Sequence, residues 1–494
     1  MALSPIQELA FEPLLQPIEL GPHAAASSTS TLTSSARLSA YPTSPPPRSL
    51  ATGVVTNHYF PGSTSRRSRL GDGSLPLSLS QLQSSWPPAE PARLRDAPAT
   101  PAEVERRPSR YTAFTAAKVS DTLSGPSVCP PLIAVSRFVP NRTAIGSSSD
   151  RASTSSGQRI TLLLTHGAGF HKELFEPMIE RVVELLGAGG PHPIELEEAW
   201  CIDMPGHGDS RAVDGSEPWP IDGKDYMRDV LTFVALYLPS LRKEANEHMP
   251  TLLKSDVDAI KLLSNVHNAP QDAPLALSTR PNLVGVGHSI GGETMVGLAM
   301  HAPRLFSSIA VIEPIILDAA TQAFGTRLPL ARFALKKEWR WDNVEEAKKH
   351  FSAHPVYGQY RFDVRQKFLA HGVTASSFSA TTGAEKAVML KASPYTEAIA
   401  YLDHQTVVSL APRGAFFPPI PSVWITGSRP LMYSAKDAPP LETVHRLAQR
   451  FRGMQVEVLQ GGHNLPYDDP ESVAKAICRF ITACTGTASI APHL

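Results

Sequence analysis

The 494-residue chain has no excess of either charge: 46 Lys and Arg balance 46 Asp and Glu. It has no basic block and no basic patch interleaved with aromatics, so nucleic-acid binding finds no footprint. No apolar run reaches the roughly 20 residues that would span a bilayer. Met1 does not open the charged and then apolar pattern of a secretory signal. Cysteine is scarce, and Cys129, Cys201, Cys478 and Cys484 form no C-x-x-C pair. Reduced thiols in an intracellular compartment are the simplest reading. No metal and no organic cofactor is implied.

Apolar periodicity is missing from the first hundred or so residues, where Ser, Pro, Thr and Ala dominate. Runs such as Thr43-Ser-Pro-Pro-Pro47 cannot bury enough surface to offset chain entropy. A disordered tail is therefore expected over residues 1–110. Leu20 to Gly71 also lacks acidic residues and carries scattered Arg, a faint likeness to a mitochondrial transit peptide. Glu8, Glu12 and Glu19 stand in front of it, and an uncleaved tail is the favoured reading. At the other end, residues 488–494 finish Pro492-His493-Leu494. That tripeptide approximates the receptor-read peroxisomal address of the Ser-Lys-Leu type, with Pro in place of the small residue. An import receptor is the partner it would imply, with the cytoplasm as the alternative location.

Between the tails, strand and helix patterns alternate. Apolar, β-branched runs at 132–139, 160–165, 200–203, 283–286, 309–312, 423–426 and 456–459 read as strands. Helical spacing marks 175–186, 226–238, 292–301, 441–451 and a last helix with Asp469 as N-cap and Pro470 at its first position. Alternation of this kind predicts an α/β fold with a mainly parallel central sheet and helices on both faces. Residues 111–314 and 416–487 form its two parts. Residues 315–415 between them carry helical patterns rather than strands, including an Asn343-Val-Glu-Glu346 start resembling a capping box. They are expected to fold as a helical cap over the carboxyl ends of the strands, where ligands bind in open α/β sheets.

Chemistry concentrates at Gly287-His288-Ser289-Ile290-Gly291. An apolar strand runs into it and a helical stretch follows at once, the strand–turn–helix context of a G-x-S-x-G nucleophile elbow. The turn admits only small residues two places before and after the serine. Ser289 is the candidate nucleophile and needs a base within hydrogen-bond reach. His463 is the candidate, since it alone among seventeen histidines lies in the loop after the last strand, behind two glycines. His166 and His288 shape the pocket. The third member should be a carboxylate that orients the imidazole. The usual loop, after 423–426, has no acid before Asp437. Glu313, at the end of the strand after the elbow, is favoured, with Asp437 and Asp318 as alternatives. Asp203 organises its own turn. An oxyanion needs two backbone N–H donors; Ile290 is one candidate, and Ala168 or Gly169 the other.

Together these residues resemble the α/β-hydrolase family over about residues 130–485. His166-Gly-Ala-Gly-Phe-His-Lys-Glu-Leu-Phe-Glu-Pro177 and Leu390-Lys-Ala-Ser-Pro-Tyr-Thr-Glu-Ala398 are similar to blocks of fungal peroxisomal lipase-like and host-selective-toxin biosynthesis hydrolases. Gly167 and Ala168 depart from that group's usual Ala-Asn. The resemblance implies the α/β-hydrolase fold, a frequent peroxisomal address and a serine hydrolase acting on a small lipophilic acyl ester or thioester. An acyltransferase with the same residues, or a non-catalytic ligand-binding module on the same fold, is the alternative. Phe333, Trp339, Trp341, Phe351, Tyr357 and Tyr360 would suit a lipophilic substrate, or serve as the cap's own core.

Overall fold

Uninterrupted apolar runs suit strands covered on both faces, and the computed structural model gathers them into one sheet. It describes residues 46–61, 132–141, 158–187, 194–211, 223–238, 282–301, 305–316, 327–375, 387–402, 420–430, 440–451 and 453–486. The strands are β1 (Arg48–Ser49), β2 (Gly53–Pro61), β3 (Leu132–Pro140), β4 (Gln158–Thr165), β5 (Ile194–Ile202), β6 (Leu283–His288) and β7 (Ser308–Ile312). They continue with β8 (Arg340–Trp341), β9 (Val373–Ala375), β10 (Val388–Leu390), β11 (Ser422–Gly427) and β12 (Met454–Leu459). Among the described residues, nine of them form a sheet in the order β1-β2-β3-β5-β4-β6-β7-β11-β12. From β5 to β12 every pairing is parallel. The pairings from β1 to β5 are antiparallel.

Period-2 alternation divides each central strand between two cores. Leu162, Leu164, Ala310 and Ile312 meet Met178, Val182, Ile477 and Ile481 of the helices Glu176–Gly187 and Pro470–Gly486. Leu163, Ile309 and Val311 meet Tyr226, Met295 and Val444 of Gly223–Thr232, Ile290–His301 and Pro440–Ala448 on the other face. The expected cap at Asp469 is present, its Oδ1 accepting from Ser472 N–H at 3.0 Å. From β4 the chain steps out to β5 and then crosses back to β6 on the other side. A reversal of that kind leaves a crevice at the carboxyl ends of the strands.

The structure corrects two expectations. The tail expected through residue 110 is not unstructured at 48–61, where β2 pairs with β3 along its whole length. Gly53 to Phe60 is a β-branched and aromatic run, with Val55, Tyr59 and Phe60 buried. The surrounding Ser and Pro hide it when composition is averaged over a long window. Arg48 is fixed by Glu176, 2.5 Å between Nη2 and Oε1. Second, the segment between β7 and β11 is not purely helical. Its helices Arg327–Leu335, Val344–Ala353, Phe362–His371 and Pro394–Leu402 are joined by a sheet of order β8-β10-β9. Two or three residues per strand are too few to show a period of two.

Within that segment Asn343 Oδ1 accepts from Glu346 N–H at 2.9 Å, as the capping pattern predicts. Trp341, Phe351, Tyr357 and Tyr360 are buried with Phe368 and Tyr467 in a cluster of their own, Trp339 lies at its edge, and Phe333 is 55% exposed. A buried ion cluster ties the segment to the sheet. Lys172 Nζ contacts Glu173, Asp203 and Asp209, and Asp209 also holds Lys391 at 2.5 Å. Burial alone would disfavour the Lys172 ammonium, but Asp203, Glu173 and Asp209 outweigh it and keep its pKa well above the ordinary lysine value.

Asp318, Asp437, Cys129 and Pro492–Leu494 lie outside the described residues. Among the described residues no helix is long and apolar enough to cross a membrane.

Phe60 is fully buried, with ring centroids 5.2 Å from both Phe233 and Tyr237. Phe60→Ala should lower unfolding free energy by ~3–5 kcal/mol. Phe362→Ala, at a residue 67% exposed, should change it by less than about 0.5 kcal/mol. Urea unfolding followed by tryptophan fluorescence checks both.

Candidate active site

Ser289 sits between β6 and the helix Ile290–His301 at φ 57°, in the left-handed region. For a residue with a side chain this costs roughly 1–2 kcal/mol. The turn closes because two residues bring no β-carbon. One at Gly287 would lie 2.3 Å from Gly291 O, and one at Gly291 would lie 2.2 Å from Thr165 O. Hydrogen bonds secure the result: Ser289 N–H donates to Ile312 O at 3.0 Å, and Thr165 Oγ1 donates to Gly291 O at 2.9 Å.

Glu313 repeats this geometry one strand over. It follows β7 at φ 46°, and its N–H donates to Ile425 O at 2.9 Å. Its side chain is fully buried. Oε1 accepts from Thr426 Oγ1 at 2.6 Å and from Gly427 N–H at 2.7 Å. Oε2 lies 3.3 Å from His463 Nδ1, and His463 Nε2 lies 3.0 Å from Ser289 Oγ. Ser289, His463 and Glu313 are therefore brought together, across 174 and 150 positions of sequence.

The loop after β4 forms the other wall. A β-carbon at Gly167 would fall 2.9 Å from Ser289 Cβ and 3.3 Å from its Oγ, so this backbone lies directly against the candidate nucleophile. Phe170 N–H turns back to Gly167 O at 3.3 Å. Ala168 is buried. Gly169, at φ +81°, faces the Glu397 carboxylate. Ile290 opens its helix, and a first-turn N–H has no partner inside the helix.

His166 and His288 are fully buried and bonded to backbone. His166 Nε2 accepts from Met204 N–H at 3.1 Å. His288 Nε2 donates to the His463 carbonyl at 2.9 Å, which leaves its Nδ1 to accept from Tyr467 O–H at 3.2 Å. Burial and the neighbouring His463 hold His288 well below the ordinary histidine pKa, so it is neutral. Burial pushes the Tyr467 hydroxyl well above the usual tyrosine value, and a backbone bond from Gly167 pulls the other way. Tyr467 thus touches the loop after β4, the elbow and the His463 loop together. Asp203 organises its turn, its Oδ1 accepting from Lys172 N–H and its Oδ2 from Asp209 N–H, both at 2.8 Å.

Sequence reasoning passed over Thr426, Gly427 and Tyr467. Thr426-Gly427 closes the strand searched for an acid; it supplies two donors to a carboxylate from the next strand instead. Nothing in the sequence distinguishes Tyr467 from a core aromatic.

The profile of the alpha/beta hydrolase family matches residues 162–476. The type I acyl-CoA thioesterase mpaH of Penicillium brevicompactum is 28% identical over 192 residues, 38% of this chain and 34% of that protein. Its namesake in Penicillium roqueforti is 28% identical over 173 residues, 34% of this chain and 30% of that one. The matches thus span about a third of the length of these relatives. Among solved structures, the peroxisomal alpha-beta-hydrolase Lpx1 of Saccharomyces cerevisiae superposes with a TM-score of 0.52 at 18% identity, covering 74% of this chain and 87% of that one. At that identity the likeness is one of fold.

The backbone-on-backbone contact at Gly287 has no flexible partner to yield, whereas a β-carbon at Gly285 would meet the movable Met295 Sδ at 2.9 Å. Gly287→Ala should destabilise by about 3 kcal/mol, and Gly285→Ala by about 1 kcal/mol. Chemical denaturation of the two variants side by side measures the difference.

Proposed function

The chain belongs to the alpha/beta hydrolase family, and on that premise we propose that it is a serine hydrolase cleaving an acyl thioester or ester through an acyl-enzyme. The observation that carries this reading is the contact chain Ser289 Oγ–His463 Nε2 at 3.0 Å and His463 Nδ1–Glu313 Oε2 at 3.3 Å. A serine hydroxyl attacks a carbonyl only as its proton leaves, so a base in contact is the first requirement.

In this mechanism His463 Nε2 takes the Ser289 proton as Oγ bonds to the acyl carbon. Glu313 accepts from Nδ1–H, fixing the tautomer and facing the imidazolium as it forms. The oxyanion is held by the N–H of Ile290 and that of Ala168 or Gly169, in a site where preorganised donors act strongly. When the tetrahedral adduct collapses, the bond to the leaving thiol or alcohol breaks and His463 returns its proton to that atom. Water then adds to the acyl-enzyme, giving one proton to His463, and the acid leaves as Ser289 recovers its hydrogen. The Penicillium relatives, which are acyl-CoA thioesterases, favour the thioester.

The buried aromatics beside the site pack on one another, so the acyl class is drawn from those relatives rather than from that cluster. An acyltransferase would use the same residues with an alcohol or thiol in place of water. Product analysis with and without such acceptors separates the two. A binding module would not need the contact chain at Ser289.

The wild type should release thiol from acyl-CoA substrates of graded chain length, read with a thiol-reactive dye, and should take up a fluorophosphonate label. Ser289→Ala should lose the label and at least about 10⁴-fold in kcat. Glu313→Gln, which no longer favours the productive tautomer, should lose on the order of 10³–10⁴-fold with KM little changed. Full labelling of Ser289→Ala would overturn the assignment.

A further inference from the structure

Gly169 lies in the loop that walls Ser289, and its nearest neighbour comes from the segment between β7 and β11. A β-carbon there would fall 2.8 Å from Glu397 Cδ and 2.9 and 3.0 Å from its two oxygens. The carboxylate of Glu397 therefore lies against the backbone of a loop expected to present N–H groups to a forming oxyanion. Left alone, its negative charge would oppose that of the oxyanion. It is not left alone: Lys337 Nζ donates to Oε2 at 2.5 Å and Tyr401 O–H donates to Oε1 at 3.2 Å. Both members of the ion pair have side chains only 6% exposed. Lys337 also lies over the Tyr357 ring, 5.4 Å from its centroid. Buried ion pairs are weak contributors to stability, since apolar residues of the same volume commonly do as well. The location of this pair is what needs a reason.

We propose that Lys337 and Glu397 are positioning residues for the reaction at Ser289: Glu397 braces the His166–Gly169 loop, and Lys337 cancels a charge that would otherwise work against the oxyanion. This rests on the serine-hydrolase reading. Among the described residues few groups face the pair. Glu397 meets Lys337 and Tyr401, and Lys337 also meets Tyr357, with His207 and His354 nearby from other elements. Burial holds His207 down at about 3 and lowers His354, so neither is charged at neutral pH. Burial opposes the Lys337 ammonium, but Glu397 outweighs it and raises Lys337 above the usual lysine value. At neutral pH the lysine is thus the positive charge the carboxylate meets.

In Lys337→Met the carboxyl loses its counter-charge in a buried place, which favours its neutral form over the charged one. At low pH it is protonated and harmless; as pH rises it ionises beside the oxyanion. Relative to the wild type at the same pH, kcat of Lys337→Met should fall at least tenfold at pH 8 and less than threefold at pH 5.5, with KM within about twofold, against the ~10²–10³-fold that losing an oxyanion donor outright costs. Adding Glu397→Gln should remove that pH dependence and regain at least fivefold in kcat at pH 8. A Lys337→Met whose loss is the same at both pH values, or a double variant that regains nothing, overturns the proposal. Should Lys337→Met fail to fold, Lys337→Gln, which keeps a neutral donor to Oε2, is judged by the same two outcomes. A wild type without esterase or thioesterase activity, or an active Ser289→Ala, sinks the serine-hydrolase reading and this inference with it. An active wild type with pH-independent Lys337 variants sinks the inference alone.

Discussion

The site depends first on a backbone contact. Gly287 and Gly291 bring no side chain to a turn where a β-carbon at either place would lie within 2.3 Å of a carbonyl oxygen. That approach is what lets Ser289 occupy left-handed backbone and project its hydroxyl from the sheet's edge, with a helix N-terminus beneath it. Glu313 has the same backbone hand one strand away, and the two are secured alike, each giving its N–H to the last residues of the next strand. Two strained residues are held by neighbours that over-determine them, the circumstance in which such strain persists. His463 then needs only a loop long enough to reach between two fixed points.

Around that edge lies a set of buried and half-buried ion pairs. Lys172 holds Glu173, Asp203 and Asp209 in one place, Asp209 reaches Lys391, and Glu176 holds both Arg48 and Lys367. Burial would raise the Asp203 carboxyl, but Lys172 outweighs it and brings it down to about 2. Such clusters add little net stability, yet removing one member strands the others. Through Lys367 and Lys391 they tie described residues of the segment between β7 and β11 to Glu176, after β4, and Asp209, after β5. The block from His166 to Pro177 takes part in both: Gly167 lies against Ser289, and Lys172, Glu173 and Glu176 supply three members of these ion pairs.

Most of the fold was legible because its signals are local. Uninterrupted apolar strands, the helical periods at 176–187 and 470–486, and the caps at Asn343 and Asp469 depend on residues close in sequence. The elbow was legible for the same reason, and His463 because it follows the final strand of the sheet. The carboxylate in contact with His463 was only half legible. Whether a carboxylate reaches a histidine from β7 or from β11 depends on how far neighbouring strand ends extend, which is a property of the sheet. Tyr467 and the Lys337–Glu397 pair were not legible, since each acquires its meaning from a loop more than 160 positions away. β2 was missed for a different reason: nine strand-forming residues were averaged with their Ser- and Pro-rich surroundings.

A carboxylate at the end of β7 also changes what β11 must contribute. Glu313 Oε1 already has two donors, Thr426 Oγ1 and Gly427 N–H, both from the terminus of β11. An acid in the loop after β11 would compete for those same donors, and two carboxylates sharing one histidine would repel each other. Thr426-Gly427 is therefore the complement of Glu313, and the loop 427–434 is under no demand from this site to carry an acid. The absence of Asp and Glu from residues 427–434, which at first sight weakens the case for an enzyme, is compatible with the proposed reading, in which Glu313 supplies the carboxylate one strand earlier.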